Sequence, residues 1–94
     1  MMFRCKVKHD QVERNLELLR AVFEELESTQ PDGLRYATFQ LEDKVSFVAF
    51  VETENPGALS QLRAFQRYRT TLDERCDEPP LMTMLDEVGS FRFP

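Results

Sequence analysis

The sequence predicts a single α+β domain in which two helices cover one face of a four-stranded antiparallel sheet. The chain has 94 residues, which is enough for one domain and too few for two. Some segments alternate apolar and polar residues, as strands do, whereas others repeat apolar residues every three or four positions, as helices do. Turn-forming residues divide these segments into the order β-α-β-β-α-β.

The first two predicted elements are a strand and an amphipathic helix. Apolar and cationic side chains alternate over residues 2–8, which is typical of a strand. The apolar residues that follow have helical spacing and form one stripe: Val12, Leu16, Leu19, Phe23 and Leu26. Asp10 and Glu13 predict a capping box at the start of this helix. Pro31 cannot continue the helix, and Gly33 favours a left-handed turn, so the helix ends before them.

The middle of the chain is predicted to be a hairpin with strands at residues 34–41 and 45–52, both rich in β-branched and aromatic residues. The predicted register places Arg35 opposite Glu52, a favourable cross-strand pair. Both faces of this hairpin are apolar, although a sheet with one solvated face would carry polar residues there. The helices of the chain can cover one face. We therefore expect a second copy of the sheet to cover the other, in a homodimer.

A second helix and a last strand complete the predicted order. Asn55 is suited to cap this helix, whose apolar stripe consists of Leu59, Leu62, Phe65, Leu72 and Cys76. Most of its arginines are expected on the solvated face (Arg63, Arg67 and Arg75), whereas Arg69 interrupts the stripe. The last strand is predicted within residues 81–93, with a bend at Gly89. The whole order is the ferredoxin-like arrangement, with the first and third strands in the centre of the sheet.

Charge and cysteine content exclude several classes of function. The net charge of −5, without a basic run, argues against binding to nucleic acid or to an anionic membrane surface. No apolar stretch approaches the roughly 20 residues that span a bilayer, and the first ten residues lack the apolar core of a signal peptide. A cytoplasmic protein is expected. Cys5 and Cys76 do not make a disulfide framework, and we expect two buried, inert thiols rather than ligands of a metal.

Several runs of residues resemble the antibiotic-biosynthesis-monooxygenase-like (ABM-like) domains. They are PDGLRYA at 31–37, NP at 55–56, LRAF at 62–65, RCDEPP at 75–80 and VGSF at 88–91. The resemblance covers essentially the whole chain and implies a dimeric α+β barrel, in which two sheets face each other. It also implies a cavity between the sheet and the helices of each protomer.

The same resemblance limits the activities that we expect. The quinone-forming monooxygenases and the haem-degrading branch rely on a cavity tryptophan, and this chain has none. The haem-degrading branch also uses an asparagine on the first strand and a histidine on the second helix. Neither residue is present at those places, so haem degradation is not expected.

Three residues are candidates for a catalytic role. His9 is the only histidine and can act as a general base near neutral pH, or lie in solvent beside the helix start. Tyr36 can donate a hydrogen bond to a phenolic or carbonyl substrate, or only pack its ring. Arg69 can bind a carboxylate, or only extend past the apolar stripe to solvent.

The sequence supports two hypotheses about function. In the first, the protein is a monooxygenase-like enzyme that acts on a small aromatic or polyketide-type compound without a bound metal or flavin. The carbanion of the substrate would then reduce dioxygen, while the protein supplies desolvation and hydrogen bonds. In the second, the homodimer is not an enzyme and has a small-ligand-binding or structural role.

Overall fold

The computed structural model describes residues 1–55 and 57–92, and its elements follow the predicted order. The chain begins with β1 (Met2–Lys6), a short 3₁₀ turn (His9–Gln11) and α1 (Val12–Thr29). The hairpin is formed by β2 (Leu34–Gln40) and β3 (Ser46–Thr53). Three short helices follow: α2 (Gly57–Ser60), α3 (Arg63–Thr70) and α4 (Leu72–Arg75). The last strand is β4 (Leu81–Thr83).

The four strands form one antiparallel sheet in the order β2-β3-β1-β4. The first and third strands are therefore central, which confirms the predicted topology. The predicted hairpin register is also confirmed, because Arg35 is paired with Glu52, and their side chains form an ion pair of 3.5 Å. The four-stranded sheet with its helices is a ferredoxin-like α+β fold.

The core lies between the sheet and the helices. Its buried apolar side chains come from the inner face of the sheet and from α1 to α4: Cys5, Val7, Leu18, Leu19, Val22, Phe47, Val51, Leu59, Leu62, Phe65, Tyr68, Leu72 and Cys76. No helix among the described residues covers the opposite face of the sheet, and Phe39 on this open face is 45% exposed. None of the described helices is both long and apolar enough to cross a membrane.

The helix α1 is rotated relative to the predicted apolar stripe. Leu18, Leu19 and Val22 are its buried apolar residues, whereas Leu16 and Phe23 are only half-buried. The prediction was wrong about the centre of the buried face. Apolar residues occupy a wider arc of α1 than the single predicted stripe, so more than one rotation of the helix buries apolar side chains. The predicted capping box was also wrong: α1 begins after Gln11 without a side-chain hydrogen bond at its cap. A 3₁₀ turn, in which the amide of Gln11 donates to the carbonyl of Lys8, precedes the helix instead.

The second half of the chain differs most from the sequence prediction. The predicted second helix is divided into α2, α3 and α4, although the side chain of Asn55 does accept a hydrogen bond from the amide of Gly57, as expected of a cap. Arg75 is buried, so its expected place on the solvated face was wrong. The last strand contains only three residues, and residues 84–92 form no strand. The predicted position 93 lies outside the described residues.

Candidate functional site

An open cleft lies between α1 and the inner face of the hairpin. It has a volume of about 600 Å³, which is within the usual range for small-molecule sites. The helix contributes Leu16, Leu19, Arg20, Phe23, Glu24 and Glu27. The sheet contributes Thr38, Gln40 and Phe47. The walls are mainly apolar, so the cleft can bury the body of a small apolar compound.

The cleft exists because of the rotation of α1. Since Leu18, Leu19 and Val22 point into the core, Leu16 and Phe23 lie at the edge of the helix–sheet contact. β2 is an edge strand, and the sheet extends no further beneath α1. The apolar groups at this edge are therefore left partly uncovered, which is the surface that a ligand can bury.

A second, much smaller void lies inside the protein between the sheet, α3 and α4. This inner cavity has a volume of about 30 Å³ and is lined by Phe3, Arg4, Cys5, Tyr36, Thr38, Phe47, Ala49, Phe65, Tyr68, Arg69, Leu72 and Pro80. It has room for roughly one or two water molecules. Thr38 and Phe47 line both the cleft and the inner cavity, so they form the wall that separates them. A substrate can enter the inner cavity only if side chains of this wall move.

Tyr36 lines the inner cavity and is held there by aromatic contacts. Its ring stacks on Phe23 with centroids 5.2 Å apart, and it meets Phe65 edge-on at 6.3 Å. Burial raises the pKa of the Tyr36 phenol, and the hydroxyl of Thr38 beside it opposes this shift only in part. The phenol therefore stays protonated at neutral pH. It can donate a hydrogen bond to an oxyanion, but it does not serve as a base.

Thr38 carries a polar atom for which the fold supplies no standard partner. Its Oγ1 is buried, and within residues 1–55 and 57–92 it forms no hydrogen bond of ordinary geometry. Buried hydroxyl groups are normally hydrogen-bonded, because an unpaired one costs free energy. This hydroxyl lies beside the Tyr36 phenol, and both residues line the inner cavity.

The other two sequence candidates occupy different places. Arg69 is exposed at the edge of the inner cavity, and its guanidinium carbon lies 5.7 Å from the centroid of the Phe3 ring. The structure thus brings Arg69 and Tyr36 to the same cavity. His9 lies in the 3₁₀ turn before α1, is exposed and lines neither the cleft nor the inner cavity.

Sequence reasoning missed a buried polar cluster around Arg75. The guanidinium donates from Nε to Oδ1 of Asn15 at 3.1 Å and from Nη2 to the carbonyl of Tyr68 at 2.9 Å. It also donates to the hydroxyl of Thr71, and its charge lies 5.1 Å from the centroid of the Tyr68 ring. Arg75 lies seven residues after Tyr68 and three after Leu72, which is on the apolar stripe. That spacing was the available signal for a buried arginine.

The two thiols lie beside this cluster. Cys5 and Cys76 are free and buried, which confirms the expectation of buried cysteines. Burial raises the pKa of the Cys5 thiol and raises that of Cys76 to about 12, so both stay protonated and unreactive at neutral pH. In the part of the chain that the structure describes, no three His, Cys, Asp or Glu side chains are grouped as metal ligands.

Comparison with known proteins identifies the fold but gives no match at the level of sequence. No protein-family model matches the chain. No curated protein sequence matches it either.

Solved structures similar to this one include several described as monooxygenases. One is a putative antibiotic biosynthesis monooxygenase from Nitrosomonas europaea, at a TM-score of 0.75 and 20% identity over 93% of this chain and 86% of that chain. Another is the Rv0793 protein of Mycobacterium tuberculosis, at a TM-score of 0.69 and 22% identity over 94% and 95% of the two chains.

SnoaB from Streptomyces nogalater, described as a cofactor-independent oxygenase, has a TM-score of 0.62 and 15% identity over 95% of this chain and 94% of that chain. Identities this low establish a common fold and leave activity open. The resemblance seen in the sequence is thus confirmed for the fold. The chain has the ABM-like form of the ferredoxin-like α+β fold.

Proposed function

We propose that this protein is a cytosolic, homodimeric, monooxygenase-like enzyme that binds a small aromatic or polyketide-type compound in the cleft beside α1. The observation that carries the proposal is the open apolar cleft of about 600 Å³, separated by Thr38 and Phe47 from the cavity that holds the Tyr36 phenol. A protein with a purely structural role would be expected to fill this space with side chains. The likeness in fold to an oxygenase described as cofactor-independent adds support.

The proposed reaction needs a substrate that supplies its own electrons. A carbanion next to an aromatic carbonyl reduces dioxygen, and the methylene carbon becomes a carbonyl. One oxygen atom is retained there, and the other leaves as water with the two hydrogens. Negative charge develops on the substrate oxygen. When the side chains of the wall formed by Thr38 and Phe47 move and the substrate reaches the inner cavity, the protonated phenol of Tyr36 can stabilise this charge by donating a hydrogen bond. Arg69, at the edge of the same cavity, would stabilise the anion by its charge.

The homodimer is proposed because the hairpin leaves an apolar patch on the open face of the sheet, beside the cations Arg4 and Lys6 of β1. Phe39 and Phe50 meet there with ring centroids 6.1 Å apart, and Leu81 of β4 is 63% exposed in the single chain. A small domain buries a smaller fraction of its surface than a large one does, so a sheet that keeps apolar side chains in water is costly. A second copy that places its own sheet against this face would cover it. The free, buried cysteines agree with a reducing compartment.

Oxygen consumption by the purified protein tests the enzyme proposal. The substrates are phenols and aromatic ketones that carry an acidic C–H bond next to the carbonyl. We expect dioxygen uptake with some of them, and we expect Tyr36→Phe to lower the rate by roughly tenfold to a hundredfold, as the loss of one oxyanion donor does.

The matched control is Tyr68→Phe, which removes the other phenol oxygen of the chain. Tyr68 also lines the inner cavity, but its hydroxyl lies beside Cys5 rather than Thr38, so this variant should keep more of the rate than Tyr36→Phe does. Binding without dioxygen uptake, and without any effect of Tyr36→Phe, would instead indicate a non-enzymatic ligand-binding dimer.

A further inference from the structure

The rim of the cleft is acidic. Arg20, Glu24 and Glu27 follow one another along the same face of α1, and all three line the cleft. The two carboxylates and the one guanidinium give the rim of the cleft a net negative charge. Among the described residues, neither Glu24 nor Glu27 has an ion-pair partner, so both carboxylates are available to a ligand.

The polar groups of the cleft, taken together, also favour a ligand that donates hydrogen bonds. The side-chain amide nitrogen of Gln40 donates one of its two hydrogens to the backbone carbonyl of Lys44 at 2.9 Å, which leaves the amide oxygen and one N–H for a ligand. Thr38 also lines the cleft, but its Oγ1 is buried beside the Tyr36 phenol. The carboxylate oxygens of Glu24 and Glu27 and the amide oxygen of Gln40 offer more acceptor positions than the N–H groups of Arg20 and Gln40 offer donors.

We propose that the cleft selects compounds that combine an apolar, aromatic body with a positively charged, hydrogen-bond-donating end, as in an arylalkylamine. This inference rests on the proposed function, because it names the class of compound for the same cleft. The aromatic body packs against Leu16 and Phe23, where apolar surface is left uncovered. The ammonium group lies at the rim between Glu24 and Glu27. An anionic compound of the same size meets only one cation there and is disfavoured by both carboxylates.

The experiment compares three ligands with one ring system and different ends. Naphthylethylamine, naphthylethanol and naphthylacetic acid are titrated with the protein at low ionic strength, and their own fluorescence anisotropy reports binding because the chain has no tryptophan. Exposed ion pairs are individually weak, so we expect the amine to bind only about three- to tenfold more tightly than the alcohol, and the acid to bind most weakly. The preference should decrease as salt is added.

Paired variants identify the source of the preference. The double variant Glu24→Gln/Glu27→Gln should remove the preference for the amine while leaving the affinity for the alcohol unchanged. The control Glu74→Gln/Glu78→Gln alters the net charge equally but lies outside the cleft, and it should keep the preference. Amide chemical-shift changes on addition of the amine should include Thr38 and Gln40.

The possible results distinguish this inference from the proposed function. Equal binding of all three ligands, or tightest binding of the acid, would overturn the selectivity for cations and leave the cleft as a binding site. Shift changes that avoid Thr38 and Gln40 would also overturn it. If no ligand of the set binds, the cleft is not a site for small aromatic compounds, and both proposals fail.

Discussion

At the scale of single residues, the most consequential feature is a cation inside the core. Arg75 is 3% exposed and donates hydrogen bonds to the side chains of Asn15 and Thr71 and to the carbonyl of Tyr68. These bonds join α1 to the helices that follow β3. Burial lowers the pKa of the guanidinium, but an arginine remains charged at neutral pH. The amide nitrogen of Asn15 forms no hydrogen bond among the described residues, so Arg75 is the one hydrogen-bond partner that they give this buried side chain.

We expect Arg75→Met to destabilise the protein by about 2–4 kcal/mol, because it leaves Asn15 Oδ1 and a buried carbonyl without their charged donor. Arg75→Lys should recover only part of this loss, since an ammonium group cannot reproduce the geometry of the guanidinium. Urea unfolding measures both changes. The control is Arg67→Met on the exposed side of α3, which should have little effect. Equal effects of the two methionine variants would contradict a bonding role for Arg75.

The buried thiols predict a loss of stability at alkaline pH. Cys5 and Cys76 stay protonated in the native state above the ordinary thiol value of 9.0, and the pKa of Cys76 is raised to about 12. The unfolded chain releases these protons at lower pH and so binds fewer protons than the native state. The free energy of unfolding should therefore fall as pH rises from 9.0 towards 12, by about 1.4 kcal/mol per pH unit for each proton.

Urea unfolding at a series of pH values checks this slope. Cys76→Ala should make it shallower, whereas the neutral-pH stability of that variant reports the lost packing separately. The buried phenols of Tyr36 and Tyr68, whose pKa values burial also raises, should remain as a second contribution at higher pH. An unchanged slope in Cys76→Ala would show that this thiol does not control the alkaline transition.

At the scale of elements, the start of α3 depends on a residue of another helix. Its cap position, Leu62, has no side-chain cap of its own. The carboxylate of Glu25 on α1 accepts the amide of Ala64 at 2.8 Å and that of Arg63 at 3.3 Å, so it caps α3 from across the helix pair. The same contact joins α1 to the first turn of α3.

Glu25→Ala should cost about 1 kcal/mol of unfolding free energy, as the loss of a helix cap usually does. Glu25→Gln should cost less, because its amide oxygen can still accept one of the two hydrogen bonds. Thermal and urea unfolding measure the difference. Glu24→Ala, one residue away with its carboxylate in solvent, serves as the control and should be close to neutral. If Glu24→Ala is as costly as Glu25→Ala, the cap is not the cause.

At the scale of the whole molecule, the open face of the sheet predicts the assembly. Phe39 lies on this face, opposite Val48 and edge-on to Phe50. A charge at position 39 would be buried without a partner in a dimer that joins the two open faces, which is strongly unfavourable. In a single chain the same charge would remain in solvent.

Light scattering during size-exclusion chromatography should find the native protein as a dimer at micromolar concentration and Phe39→Asp as a folded monomer. Circular dichroism confirms that the variant keeps its secondary structure. Arg67→Glu, on the helix side of the molecule, should remain a dimer. A native protein that is monomeric under these conditions would contradict the dimer proposed from the open sheet face.

The sequence by itself determined the element order, the position of the hairpin and the centre of the sheet. These features follow from local patterns, since alternation and three-to-four spacing are imposed by backbone geometry over a few residues. The register of Arg35 with Glu52 was predictable for the same reason, because a short hairpin leaves few ways to pair its strands.

The tertiary structure alone decided where the site lies. The rotation of α1 depends on packing against the sheet, and several neighbouring rotations satisfy the same wide apolar arc, so the cleft beside Leu16 and Phe23 was not predictable. The hydrogen bond from Arg75 to Asn15 and the cap that Glu25 forms on Ala64 join residues separated by 60 and by 39 positions, and no local pattern encodes such partners. Local backbone geometry depends on residues that are adjacent in the sequence, whereas a ligand site consists of residues that only tertiary packing brings together.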